Sequence, residues 1–133
     1  MTPLREPDAA MKQLTEAVIG AAIEVHRALG PGLLESVYRE AMVLELRERG
    51  IAFEQKRRFV VRYRETIVGK GEMDIVVASL LVVELKTVER FAPIHEAQLK
   101  SYLRAGGYHV GLLLNFNVPV LVDGIKRVVC TSP

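Results

Sequence analysis

The stretch DIVVASLLVVELK, residues 74–86, confines this chain more than any other part of it. Two short runs of Val, Ile and Leu joined near Ser79 read as paired strands from the middle of a sheet, where charge is normally kept out. Yet Asp74 opens the first run, and Glu84 and Lys86 interrupt the end of the second. If Ala78, Ser79 and Leu80 form a three-residue loop, Val77 faces Leu81. Three pairs further from the turn, Asp74 then faces Glu84 on one side of the sheet. Lys86 projects from that same side, while Ile75, Val77, Val83 and Leu85 project from the other and supply core packing. Like charges facing each other destabilise a sheet, so the arrangement points to a cation held between them, with Asp74 and Glu84 as metal ligands. The alternative is a strand end leaving the sheet, with Glu84 and Lys86 salt-bridged and Asp74 capping a turn. A slip of one residue would separate the two carboxylates onto opposite faces.

The flanking segments supply the rest of the architecture. From Leu14 the apolar positions Val18, Ala21, Val25 and Ala28 recur at helical spacing until LGPG, where Gly30 caps and Pro31 forbids continuation. A second helix is expected from Leu33 to Arg49, with Leu34, Val37, Tyr38, Ala41, Met42 and Leu46 facing inward and Gly50 as its stop. Beyond Gly50 the period falls to two. Phe59, Val61 and Tyr63 alternate with Val60, Arg62 and Arg64, the pattern of a half-exposed strand. A third helix is expected over Pro93–Ala105, then a strand in YHVGLLLNF and a last one around IKRVVC. The expected fold class is therefore α/β, an α+β sandwich with a mixed β-sheet flanked by α-helices in the order ααβββαββ. A single domain over 1–133 is expected, with 1–11 a loose N-terminal segment.

Composition limits the setting. Half of the 133 residues are hydrophobic and 26% are charged, a globular balance, and no apolar run approaches the roughly 20 residues of a membrane span. The N-terminus carries Glu and Asp without an apolar core, unlike a signal peptide, and the lone Cys130 has no internal disulfide partner. A soluble protein of the reducing cytoplasm is expected, with no membrane partner. Net charge is only +2, but Lys56, Arg57, Arg58, Arg62 and Arg64 cluster on one strand.

Asp74, nine intervening residues and Glu84-Leu85-Lys86 resemble the D…(D/E)xK signature of the PD-(D/E)XK nuclease superfamily, and GLLESVY at 32–38 resembles the hallmark of its GxxExxY protein family. AAIEVHRALGPGLLESVYREA, PIHEAQLKSYLRAGG and GLLLNFNVPVLVDGIKRVV look like the same family, so the likeness spans nearly the whole chain. It implies a PD-(D/E)XK nuclease-like core and a divalent-metal phosphodiesterase site on the sheet. Asp74 and Glu84 then correspond to the metal-binding carboxylates and Lys86 to the catalytic lysine, although Met73 stands where the superfamily's proline would be. Glu35 would bring a third carboxylate to the metal; a Glu in the first turn of a helix is also favoured by the macrodipole alone. Gln98 would help to place the lysine or the scissile phosphate, with Tyr102 beside it on the stripe His95, Gln98, Tyr102. His95 is read either as a helix-start residue or as a phosphate contact. Tyr38 fits a core stripe; His26 is read as bonding the Pro31 loop, and His109 and Cys130 as structural.

A Mg²⁺ or Mn²⁺ held by Asp74, Glu84 and Glu35 would neutralise charge at a phosphate and acidify a bound water, with Lys86 orienting that water. The expected function is a metal-dependent, endonuclease-like phosphodiesterase acting on DNA. Arg57, Arg58 and Arg62 are expected to touch the nucleic acid, and a homodimer would pool two basic faces. The alternative is a catalytically silent nucleic-acid-binding or regulatory protein that keeps the nuclease fold.

Overall fold

The computed structural model describes residues 9–131. In chain order the elements are α1 (Ala9–Leu29), α2 (Glu35–Glu48), β1 (Phe53–Tyr63), β2 (Thr66–Val77), β3 (Leu81–Lys86), α3 (Pro93–Gly106), β4 (Val110–Asn115) and β5 (Ile125–Val129). The expected order ααβββαββ holds, with one short 3₁₀ turn, Leu121–Gly124, added before β5. The expected loose segment over 1–11 is helical from Ala9 onward; its remainder lies outside the described residues. Ala and Met are strong helix formers, and Met11 packs against the core, which carries α1 back past Leu14.

The five strands form one mixed sheet in the order β1-β2-β3-β4-β5. All neighbours are antiparallel except β3 and β4, which run parallel because α3 returns the chain between them. Alternation along the central strands divides the core in two. Ile75, Val77, Val83 and Leu85 pack with Val18, Ala21, Val25, Tyr38, Met42 and Leu46 from α1 and α2. Val76, Val82 and Leu113 pack on the other face with Leu99 and Leu103 of α3. Helices therefore cover both faces, the α+β sandwich expected.

Two expectations about the helices fail in detail. Ala28 is exposed while His26 is buried, and Leu34 and Val37 are 75% and 40% exposed. The expected Tyr38, Met42 and Leu46 of α2 are buried, joined by Val43 rather than by Leu34 and Val37, as the LGPG loop delivers the helix. That loop is tied to the core by Tyr38, whose hydroxyl donates to the Gly30 carbonyl at 2.5 Å and accepts from the Leu33 N–H at 3.1 Å. The Tyr38 ring stacks on Phe116 at 4.6 Å. Gly32, at φ 101°, adopts a left-handed backbone that side-chain-bearing residues avoid. Together these place Glu35 as the first residue of α2.

Candidate functional site

The turn between β2 and β3 has the expected register. Val77 pairs with Leu81, Val76 with Val82 and Ile75 with Val83. Ala78 and Ser79 both take left-handed backbone, φ 52° and 58°, which closes the loop without Gly. One step beyond Ile75 and Val83 the backbone ladder ends, and side chains replace it. The Asp74 N–H donates to Glu84 Oε2 at 2.8 Å, and the Leu85 N–H donates to Asp74 Oδ2 at 2.9 Å. The two carboxylates are thus held at the point where the strands part, each anchored by the other strand's backbone, and each keeps one oxygen outside this exchange. In β1, Lys56 lies between Gln55 and Arg57, which pair with Ile75 and Met73, and takes a left-handed φ of 53°, and Met73 turns to the α3 side together with Val76.

Burial makes this pair electrostatically expensive. Glu84 is 7% exposed, and desolvation, with Asp74 close by, pushes its carboxyl up to about 8. Its hydrogen bond from Asp74 and the charge of Lys86 oppose the rise; Glu35 adds to it. Lys86 points the same way as Glu84 along β3, and its Nζ donates to Gln98 Oε1 on α3 at 3.2 Å. Tyr102, one turn further along α3, packs its ring 4.8 Å from Phe59. Its phenol is shifted upward by burial and then by the charges of Glu84 and Asp74. A domain-wide comparison matches residues 12–128 to a single family, the PD-(D/E)XK nuclease superfamily.

The chain belongs to the PD-(D/E)XK nuclease superfamily. Compared with curated proteins and with solved structures, it finds no significant match. Superfamily membership points to nuclease activity and hence a nucleic-acid substrate, and these nucleases generally use divalent metal ions. The donor set suits such an ion in kind: two hard oxygen donors side by side, one of them in a buried place where desolvation and the neighbouring carboxylate disfavour its charge. Among the described residues no group of three or more His, Cys, Asp or Glu side chains is gathered for a metal. Glu35 lies instead against Arg39, Oε2 to Nη2 at 2.7 Å, and Arg39 Nε stands 3.6 Å from Asp74 Oδ1. A guanidinium therefore sits between the helix carboxylate and the strand carboxylate.

Arg39 and Asn115 escape the sequence reading. Arg39 looks like the partner of an ordinary i, i+4 helix pair with Glu35, and nothing local signals Asp74. Asn115 is 2% exposed and pairs with Lys86 across the sheet. Its side chain donates to the Val88 carbonyl at 2.8 Å and accepts from the Val88 and Asn117 N–H groups at 3.1 Å each. This fixes the chain's path just after Lys86; the signal available was an amide at the end of the run GLLLN.

The remaining candidates divide. His95 Nδ1 accepts from the Ala92 N–H at 2.9 Å, the helix-start role. Arg57 bonds both Glu54 oxygens at 3.1 Å, and Arg58 lies 3.8 Å from Glu72, whereas Arg62 has no carboxylate partner among the described residues. His26 bonds the Val118 carbonyl at 2.8 Å rather than the Pro31 loop, because the loop after β4 reaches across α1. His109 and Cys130 pair with each other, ring to carbonyl at 3.2 Å and backbone to backbone at 2.8 Å. No helix among the described residues is long and apolar enough to cross a membrane.

Proposed function

We propose that this chain is a Mg²⁺- or Mn²⁺-dependent nuclease of the GxxExxY group that hydrolyses phosphodiester bonds in DNA. The observation that carries the reading is the exchange of hydrogen bonds between Asp74 and Glu84 at the parting of β2 and β3, with Lys86 held beside them by Gln98. Asp74 and Glu84 would hold the metal, and Glu35 would join them when Arg39 yields. The bound ion would supply charge neutralisation at the phosphate and a more acidic water. Gln98 keeps the flexible lysine aimed at one point. Beside the two carboxylates, Lys86 would orient the attacking water and stabilise the negative charge that develops at the phosphate. Tyr102 closes the α3 side of the site, and Asn115 keeps Lys86 in line by pinning the backbone that follows it.

A cleavage screen over single-stranded, duplex and branched DNA and RNA with Mg²⁺ and with Mn²⁺ tests this reading. Cleavage that disappears in Glu84→Ala and in Lys86→Ala is the expected result; full activity in either variant sinks it. The second reading, a silent nucleic-acid-binding protein, draws support from Arg39, a built-in cation standing where Glu35 and Asp74 would meet a metal. Binding without turnover under every metal condition would favour it.

A further inference from the structure

The β1–β2 hairpin is longer than the sheet needs. Pairing of β2 with β3 ends at Ile75, so residues 66–74 have β1 as their only strand partner among the described residues. Helix α3 covers the first part of this overhang. Phe59 stacks near Tyr102, and Gly71 leaves room for the Phe59 ring, since a Cβ there would come within 2.6 Å of it. Past that point the ribbon lies mostly in solvent, bordered by α3 only along the cleft that Val60, Val61 and Arg62 share with Ser101 and Arg104. Of residues 60–70 only Gly69 is partly covered, and Tyr63 and Ile67 are 62% and 54% exposed. Four residue pairs at about 3.4 Å each project a bare arm of roughly 13 Å.

Charge distinguishes this arm from its root. At the root, Arg57 pairs with Glu54 at 3.1 Å and Arg58 lies 3.8 Å from Glu72, while Lys56 has no carboxylate within ion-pair reach among the described residues. On the arm, Arg62, Arg64 and Lys70 have no carboxylate within ion-pair reach among the described residues, and Arg64 lies 5.2 Å over the Tyr63 ring. Two clefts open where the arm leaves the body. One, of about 630 Å³, includes Lys70 in its wall, and the other, of about 380 Å³, is lined by Arg62 and Arg104. Unpaired cations along both strands of a projecting ribbon complement a phosphate backbone on either side of it.

We propose that the arm inserts tip-first into the major groove of double-stranded DNA, with Arg62, Arg64 and Lys70 reaching the flanking phosphates and the two faces of the ribbon, Ile67 beside Arg62 on one and Tyr63 beside Thr66 on the other, turned to the groove walls. The dimensions favour this occupant. Two strands about 4.8 Å apart, with side chains, fit a B-form major groove about 12 Å wide and about 8.5 Å deep, while the A-form major groove of duplex RNA is too narrow. A single strand offers no groove. This inference rests on the nucleic-acid substrate proposed above and narrows it to duplex DNA.

Fluorescence anisotropy in chelator, which suppresses cleavage, tests the arm apart from the catalytic reading. Wild type is expected to bind a short DNA duplex about tenfold or more tighter than the matching RNA duplex or single strand. Arg62→Ala/Arg64→Ala/Lys70→Ala should lose at least about tenfold on DNA duplex and flatten the slope of log affinity against log salt by about 2 to 3. Arg57→Ala/Arg58→Ala should flatten it by less, because those cations are already paired. Equal binding by the triple variant with an unchanged slope overturns the proposal, as does equal affinity of wild type for the three nucleic acids. Loss of a dimer rather than of DNA affinity, read by sedimentation, would assign the arm to a second copy of the chain and overturns it too. A chain that binds through its arm but cleaves nothing keeps the arm and sinks the nuclease reading; one that cleaves while the triple variant binds undiminished does the reverse.

Discussion

The two halves of β2 lie in opposite surroundings. Ile75, Val76 and Val77 are fully buried, paired on both sides and packed on both faces. Among the described residues, Thr66 to Lys70 pair with no strand but β1, and all but Gly69 are exposed. Asp74 stands at the border. Rigidity on one side fixes the carboxylate to within a hydrogen bond of Leu85, and freedom on the other lets the hairpin run out as an arm. A site that must hold charges against their mutual repulsion needs the first kind of support, and a surface that must fit a partner needs the second.

The largest expected effect separates chemistry from reach. Glu84→Gln and Lys86→Ala should lower the turnover of cleavage by at least about a hundredfold with unchanged circular dichroism, the scale of a positioned acid–base or electrostatic group. Glu84→Gln keeps an oxygen for the Asp74 N–H, so its loss cannot be ascribed to unfolding. Arm substitutions should instead raise KM. Steady-state kinetics on duplex DNA decide it, and site variants that change KM alone would erase the distinction between the two halves.

Next comes stability. Ile75→Ala removes a fully buried side chain between two layers and should cost about 2–5 kcal/mol, whereas Ile67→Ala on the exposed arm should stay within about 0.5 kcal/mol. Urea denaturation of both variants measures the contrast. Comparable losses would show that the arm is part of the cooperative core.

How far these halves were legible in the sequence depends on what sets each feature. The register that brings Asp74 to Glu84 follows from a period of two and a three-residue turn, both local, so it could be read from DIVVASLLVVELK. The helix stop at LGPG follows from Gly30 and Pro31 in the same way. The edge of the buried stripe of α2 could not, because Leu34 and Val37 are as apolar as Met42 and Leu46, and the Tyr38 anchor on Gly30 turns Val43 rather than them toward the core. The basic residues of β1 read as one cluster; only nearby carboxylates, Glu54 for Arg57 and Glu72 for Arg58, set those two apart from Lys56, Arg62 and Arg64. Arg39 reached Asp74 through tertiary packing that no local pattern contains.

The buried carboxylate supplies a third, pH-dependent difference. The folded carboxyl of Glu84 is raised to about 8, well above a solvated one, so the metal-free fold favours its protonated form. Stability from this group is fully present below the unfolded carboxyl range near 4.5 and is lost as pH rises through about 8. In chelator, wild type should weaken over that window by up to a few kcal/mol, and Glu84→Gln should show a flatter profile. Denaturant melts at several pH values test this. Parallel profiles would mean that the site tolerates the ionised pair without a cation.

The smallest expected effect concerns the guanidinium at the border. Arg39 is partly exposed and its pairs with Glu35 and Asp74 lie at 2.7 Å and 3.6 Å, so Arg39→Met should cost about 1 kcal/mol or less in chelator. The consequence for a divalent cation is more telling than the loss itself. With the guanidinium gone, Glu35 and Asp74 have no competing positive charge, so Mg²⁺ should raise the melting temperature of Arg39→Met by more than it raises that of wild type. The added shift should vanish in Arg39→Met/Asp74→Asn, which lacks the strand carboxylate. Equal Mg²⁺ shifts in wild type and Arg39→Met would mean that Arg39 and the metal do not share a place, and Glu35 would then be an ordinary first-turn helix carboxylate rather than a reserve ligand.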